Sequence, residues 1–152
     1  MRQIPNEQPI EILLVEDNSG DARLAIEAFK DGSVRFKSNL HHVKDGVEAL
    51  DFLHRRGDHA NAVRPDIVLL DLNMPRKDGR EVLAEIKEDP NLKLIPVLIL
   101  TTSQAERDIV QSYGLHANGY VSKPIDLDEF ASVVDSIKSF WFATAKLPQE
   151  ER

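Results

Sequence analysis

Ile67-Val68-Leu69-Leu70-Asp71 is a run of four apolar residues closed by an acid. An unbroken apolar run of this length has the pattern of a strand buried on both faces of a parallel sheet, where no solvent-facing position breaks the sequence. Pro96 to Thr101 repeats the form and closes on a hydroxyl instead of a carboxylate. Working outward from these two central strands, Glu11 to Val15 and Asn39 to Val43 precede them and Gly119 to Val121 follows. The segments between are amphipathic. Ala22, Ala25, Ile26 and Phe29 fall at helical spacing, as do Val47, Leu50 and Leu53. Val82, Leu83 and Ile86 form a third set that Pro90 ends. Ser103 and Glu106 have the spacing of a capping box at the head of a fourth helix, which carries Ile109, Val110 and Tyr113 and ends near Gly114. Leu127, Phe130, Val134, Ile137 and Trp141 mark the fifth. Strands alternating with helices predict an α/β fold, (βα)5, with a doubly wound five-stranded parallel sheet.

The 152 residues suit one domain over 1–152, with its core at about 10–142, an N-terminal arm over 1–9 and a tail over 143–152. That allotment leaves no length for an output module. A net charge of −7 without a basic stripe speaks against nucleic acid as a direct partner. The apolar runs are too short to span a bilayer, and no basic segment leads into an apolar one at the start, so no membrane association is expected. Cysteine is absent, which excludes disulfides and thiolate metal sites and fits a cytoplasmic location. The histidines His41, His42, His54, His59 and His116 lack metal-site spacing, and no Gly-rich nucleotide fingerprint occurs, so ATP is not expected as a direct substrate.

In doubly wound sheets the chemistry collects beyond the carboxyl ends of the strands. Glu16 and Asp17 follow the first strand and Asp71 ends the third. If these strands are neighbours, three carboxylates converge, which is costly unless a cation relieves them. Oxygen ligands without thiols favour a hard ion, Mg²⁺ or in its place Mn²⁺. The same acids could instead be N-caps of the following helices, and position alone leaves both readings open. Thr101 ends the fourth strand and Lys123 follows the fifth, adding a hydroxyl and a cation at that edge. An ammonium can pair first with the carboxylate and then with a phosphoryl group, to which a hydroxyl can also donate.

As a set, Leu14-Val15-Glu16-Asp17, Leu70-Asp71-Leu72-Asn73-Met74-Pro75 with Asp78-Gly79, Leu100-Thr101-Thr102 and Tyr120-Val121-Ser122-Lys123-Pro124 resemble the receiver domains of two-component response regulators, over about Ile10 to Phe140. Asp78 to Lys87, Leu100 to Ser103 and the ending Ser139-Phe140-Trp141 resemble more narrowly the response regulators paired with cyanobacterial phytochromes. The resemblance implies the flavodoxin-like receiver fold, Asp71 as phosphoacceptor, and a metal held by Asp17, Asp71, the carbonyl of Asn73 and Glu16, directly or through water. It implies that Thr101 and Lys123 contact the phosphoryl group, that Thr101 and Tyr120 form the switch, and that the Lys123–Pro124 peptide is cis. The donor would be a phosphohistidine on a light-sensing histidine kinase of the phytochrome type. The chain would then be a signalling phosphoacceptor, not an enzyme acting on other molecules, relaying its state by protein contacts. A receiver-like adaptor independent of phosphorylation is the alternative.

Two positions depart from the commonest receiver pattern. Glu16 stands where Asp is more frequent, and Thr102 stands where a small residue often follows the sensing hydroxyl; Thr102 and Ser103 would border access to Asp71. The last helix carries Phe130, Val133, Phe140 and Trp141, which read either as core or as contacts of a homodimer.

Overall fold

Ile12 and Leu14 of the first strand face one side of the sheet, and Leu13 and Val15 face the other; both sets are almost wholly buried. The period of two repeats in Ile67–Leu70 and Val97–Thr101, so each central strand feeds two separate apolar cores. The computed structural model describes residues 9–30, 37–74, 76–124 and 126–148. Pro75, most of the N-terminal arm and the last residues of the tail lie outside the described residues.

The strands are β1 (Ile10–Val15), β2 (Ser38–Val43), β3 (Ile67–Leu70), β4 (Val97–Thr101) and β5 (Gly119–Ser122). All pair in parallel in the order β2-β1-β3-β4-β5, the doubly wound sheet expected from the sequence. Strand bounds agree with the sequence reading to within one residue. The helices are α1 (Ser19–Lys30), α2 (Gly46–His54), α3 (Gly79–Glu88), α4 (Glu106–Gly114) and α5 (Leu127–Ile137), with a 3₁₀ turn at Gly57–His59. Residues of α2 and α3 complete the core with Leu13, Val15, Leu70 and Ile99; residues of α1 and α5 complete the one with Ile12, Leu14, Leu69 and Leu100.

Register carries the strand ends to one edge. Val15 lies opposite Leu70, so Glu16 and Asp71 leave adjacent strands side by side. Thr101 lies opposite Ser122, which delivers Lys123 to the same edge. There the Lys123 amide donates to the Thr101 carbonyl oxygen at 2.6 Å, and the Asp71 amide to that of Val15 at 3.1 Å.

Three local expectations are corrected. Ser103 does not close a capping box with Glu106: α4 begins after Ala105, and the Ser103 hydroxyl donates to Asp108, whose carboxylate lies within reach across the first turn. The Lys123–Pro124 peptide is trans, the ordinary isomer, with no cis peptide among the described residues. The last helix is not uniform to Trp141, because after Ile137 the chain widens into a π-helical stretch, Lys138–Thr144, closed by the Ala145 amide on the Phe140 carbonyl at 2.7 Å. A wider turn lessens the rotation between successive side chains. It lets the adjacent Trp141 and Phe142 both pack on the second core, with Phe142 6.3 Å from the ring of Phe29, while Phe140 is left outside.

α3 is held close under the site. Asp78 and Glu81 form its capping box, and the Gly79 amide donates to the Leu72 carbonyl at 2.9 Å. A Cβ on Gly79 would meet the Asp71 carbonyl oxygen and stand 2.7 Å from Leu72 Cα, backbone atoms that cannot swing aside. Gly79→Ala is therefore expected to lower stability by about 1–3 kcal/mol in urea denaturation, as overpacking does. A variant as stable as the parent would mean that α3 can withdraw from Asp71 freely.

Candidate functional site

Glu16, Asp71, Thr101 and Lys123 are polar, yet all are buried among the strand ends. Buried charges need partners, and these have one another. The Lys123 ammonium donates to Glu16 Oε1 at 2.6 Å and to Asp21 Oδ2 at 2.9 Å, and it lies 3.8 Å from Asp71 Oδ2. Around it, the Asn18 amide donates to Glu16 Oε2 at 3.1 Å, and His42 Nε2 lies 2.7 Å from the Glu16 carbonyl oxygen, which can only accept. Burial pushes the Glu16 carboxyl up to about 7, against the opposing pull of its bond from Lys123. Burial also works against the Lys123 ammonium, but the bonds to Glu16 and Asp21 outweigh it and hold its pKa above the usual lysine value.

Glu16, Asp17 and Asp71 each offer a carboxylate oxygen, all within 4.8 Å of one another, with Asp17 exposed at the mouth. Three hard oxygen donors at one solvent-open point suit a small divalent cation that keeps part of its water shell. The N-cap reading of these acids does not hold at α1, where Asn18 Oδ1 accepts from the Asp21 amide at 2.8 Å. Asn73 is exposed two residues beyond Asp71.

Thr101 is fully buried, and its Oγ1 lies 3.5 Å from the Ser103 amide. Thr102 is exposed and Ser103 partly buried, both in the loop between β4 and α4. Tyr120 packs on the first core and its hydroxyl donates to the Ser103 carbonyl at 3.1 Å, so the ring is already tied to that loop. The four residues of the last helix that read as core or as dimer contacts differ in burial. Phe130 is buried, and Val133 and Trp141 pack against the second core, because the apolar stripe of α5 is used to cover β1, β3 and β4. Phe140 is 52% exposed.

Asp21 was not singled out from sequence. Its signal was its spacing, four residues after Asp17 in the first turn of a helix that starts at the strand edge. Arg80 and Asp108, joined at 2.8 Å across α3 and α4, gave no sequence signal, since their 28-residue separation is closed only by the fold.

Two buried acids and a buried lysine beside one exposed acid at a parallel-sheet edge make a signalling site or a hydrolytic one, and the comparisons with known proteins decide between them. A model of the response regulator receiver domain matches residues 12–135. The chain belongs to that family. This receiver is 48% identical over 140 residues to response regulator Rcp1 of Synechocystis sp., covering 92% of this chain and 94% of Rcp1. Its structure is similar to the crystal structure of the Mn²⁺-bound form of Rcp1, with a TM-score of 0.87 over 93% of this chain and 100% of that one at 48% identity. It is equally similar to the phosphorylated cyanobacterial phytochrome response regulator RcpA, with a TM-score of 0.87 at 50% identity over 93% of this chain and 99% of that one. It is thus a signalling protein of the two-component type. Among the described residues no helix is long and apolar enough to cross a membrane.

Because Glu16 is protonated below about 7, a divalent cation must displace a proton to use it. Mg²⁺ affinity is expected to rise about tenfold between roughly pH 6 and pH 8, with proton release visible in calorimetry run in two buffers. Glu16→Gln should flatten that rise. A pH-independent affinity in the unsubstituted protein would show that Glu16 is ionised before the metal arrives.

Proposed function

We propose that this receiver accepts a phosphoryl group on Asp71 from a phosphohistidine of a histidine kinase and passes the signal on through protein contacts. The observation that carries the reading is Lys123, which sits among carboxylates within 3.8 Å of Asp71 and can shift from them to a phosphoryl group. An Asp71 oxygen attacks phosphorus in line, the N–P bond to the donor imidazole breaks, and its electron pair stays on that nitrogen. Lys123 then pairs with the phosphoryl oxygens and Thr101 donates to one of them. Mg²⁺, held by Glu16, Asp17 and Asp71 with the Asn73 carbonyl as a further ligand, would offset the charge on the transferred oxygens; Mn²⁺ suits the same donors, and it is the ion in the Rcp1 crystal structure. Water later hydrolyses the acyl phosphate, past Thr102 and Ser103, so the receiver limits its own signal.

The upstream kinase is of the phytochrome type, as the resemblance to RcpA supports. The setting is the cytoplasm, where such a kinase presents its phosphohistidine. The receiver works without nucleic-acid contact, in keeping with its charge of −7. Two copies associate through the last helix, with Phe140 as the aromatic left outside. Phe140→Ser should therefore shift the sedimentation coefficient toward that of one chain, whereas an unchanged value would remove Phe140 from any interface.

Incubation with Mg²⁺ and acetyl phosphate is expected to add one phosphoryl mass, absent in Asp71→Asn and after metal chelation. Lys123→Ala should lower the rate by about a hundred- to a thousandfold, the range for loss of one donor to a developing anion. No gain from acetyl phosphate or from a phosphorylated histidine kinase would leave the phosphorylation-independent adaptor.

A further inference from the structure

Ser103 holds together parts of the receiver that the phosphoryl site must move or fix. Its amide reaches Thr101 Oγ1 at 3.5 Å, its carbonyl accepts from the Tyr120 hydroxyl at 3.1 Å, and its own hydroxyl donates to Asp108 Oδ2 at 2.6 Å. The same hydroxyl oxygen accepts from the Ala105 amide at 3.3 Å. Ala105, the N-cap of α4, offers no side-chain bond, so the Ser103–Asp108 contact closes the first turn of that helix. The other oxygen of Asp108 accepts from Arg80 at 2.8 Å, and Arg80 also bonds Asp78, the cap of α3, at 3.0 Å. From Asp78 the path runs through Gly79 to the Leu72 carbonyl, next to Asp71.

The Arg80–Asp108 pair is not an ordinary surface contact. The Asp108 side chain is 12% exposed and that of Arg80 22%, so water screens the pair weakly. The bonds from Ser103 and Arg80 hold the Asp108 carboxyl below the usual aspartate range, which keeps it charged at neutral pH.

We propose that Arg80 and Asp108 are positioning residues for phosphoryl acceptance. Their ion pair, acting through Ser103, sets the Thr101 hydroxyl and the Tyr120 ring in place before the phosphoryl group arrives. It also ties both to the end of α3 that abuts Asp71. Loss of the pair frees the loop between β4 and α4, and Thr101 must then be ordered during the transfer step instead of before it. The kinetic part of this proposal rests on Asp71 being the phosphoacceptor; the conformational part does not.

The test uses full-length protein carrying 3-fluorotyrosine, with the two tyrosine signals assigned by Tyr113→Phe. Arg80→Ala, Asp108→Ala and Ser103→Ala are each expected to shift or broaden the Tyr120 fluorine signal of the unphosphorylated protein. They should also slow phosphorylation by acetyl phosphate at least about threefold. Arg80→Lys should recover part of both effects. Glu85→Ala, which breaks the pair between Glu85 of α3 and Lys77 in the loop before it, should leave both readouts unchanged. A merely structural role would lower the melting temperature and leave the signal and the rate alone. Folded Arg80→Ala with the parent's Tyr120 signal and rate overturns the proposal, and Ser103→Ala decides it in the same way should Arg80→Ala not fold. If the parent itself takes no phosphoryl group, the assignment of Asp71 fails, while the fluorine signals still decide whether the pair positions Tyr120.

Discussion

A buried cluster of carboxylates is stable only with a counter-charge, and here the Lys123 ammonium stands between Glu16 and Asp21 with Asp71 just beyond. Removing that cation would leave Glu16 and Asp71 facing each other at the ends of paired strands. The pairing is not a fixed structural link. The same ammonium can serve a carboxylate at rest and a phosphoryl group in the modified protein, so the feature that stabilises the site is also the one that responds to its chemistry.

Sheet topology explains why the cluster forms where it does. The strand order reverses between β1 and β3, and the connections leave those two strands on opposite faces. In doubly wound sheets the ligand crevice lies outside the carboxyl ends of the strands at that point. Into it β1 delivers Glu16 and Asp17, β3 delivers Asp71, and β5 delivers Lys123, each placed by strand register and not by a flexible loop. The two apolar cores clamp the strands on both faces, which holds these side chains in a fixed relation to one another.

The two central strands and their ends were legible because burial on both faces leaves an unbroken apolar run, and its end marks where chemistry begins. Asp71 and Thr101 could be found that way, Lys123 only by its place after the shorter, partly buried fifth strand, and the structure brings the three to one edge. The π-helical turn after Ile137 was not legible, because Phe140, Trp141 and Phe142 give the same apolar signal however wide the turn that carries them. Nor was the division of the proposed dimer residues, since an aromatic stripe does not say which of its members a neighbouring helix covers. Asp21, Arg80 and Asp108 escaped for a related reason. Single charged residues on helices are ordinarily solvated, and only the fold shows that these three face partners.

The most direct measurement is a crystal structure of the receiver soaked with Mg²⁺ and beryllofluoride, a stable mimic of the phosphoryl group. Asp71 as the phosphoacceptor predicts the beryllofluoride on an Asp71 oxygen, with Lys123 drawn off Asp21 to a fluorine and Thr101 Oγ1 donating to another. Density for the mimic elsewhere, or Lys123 still bonded to Asp21 beside a modified Asp71, would contradict it.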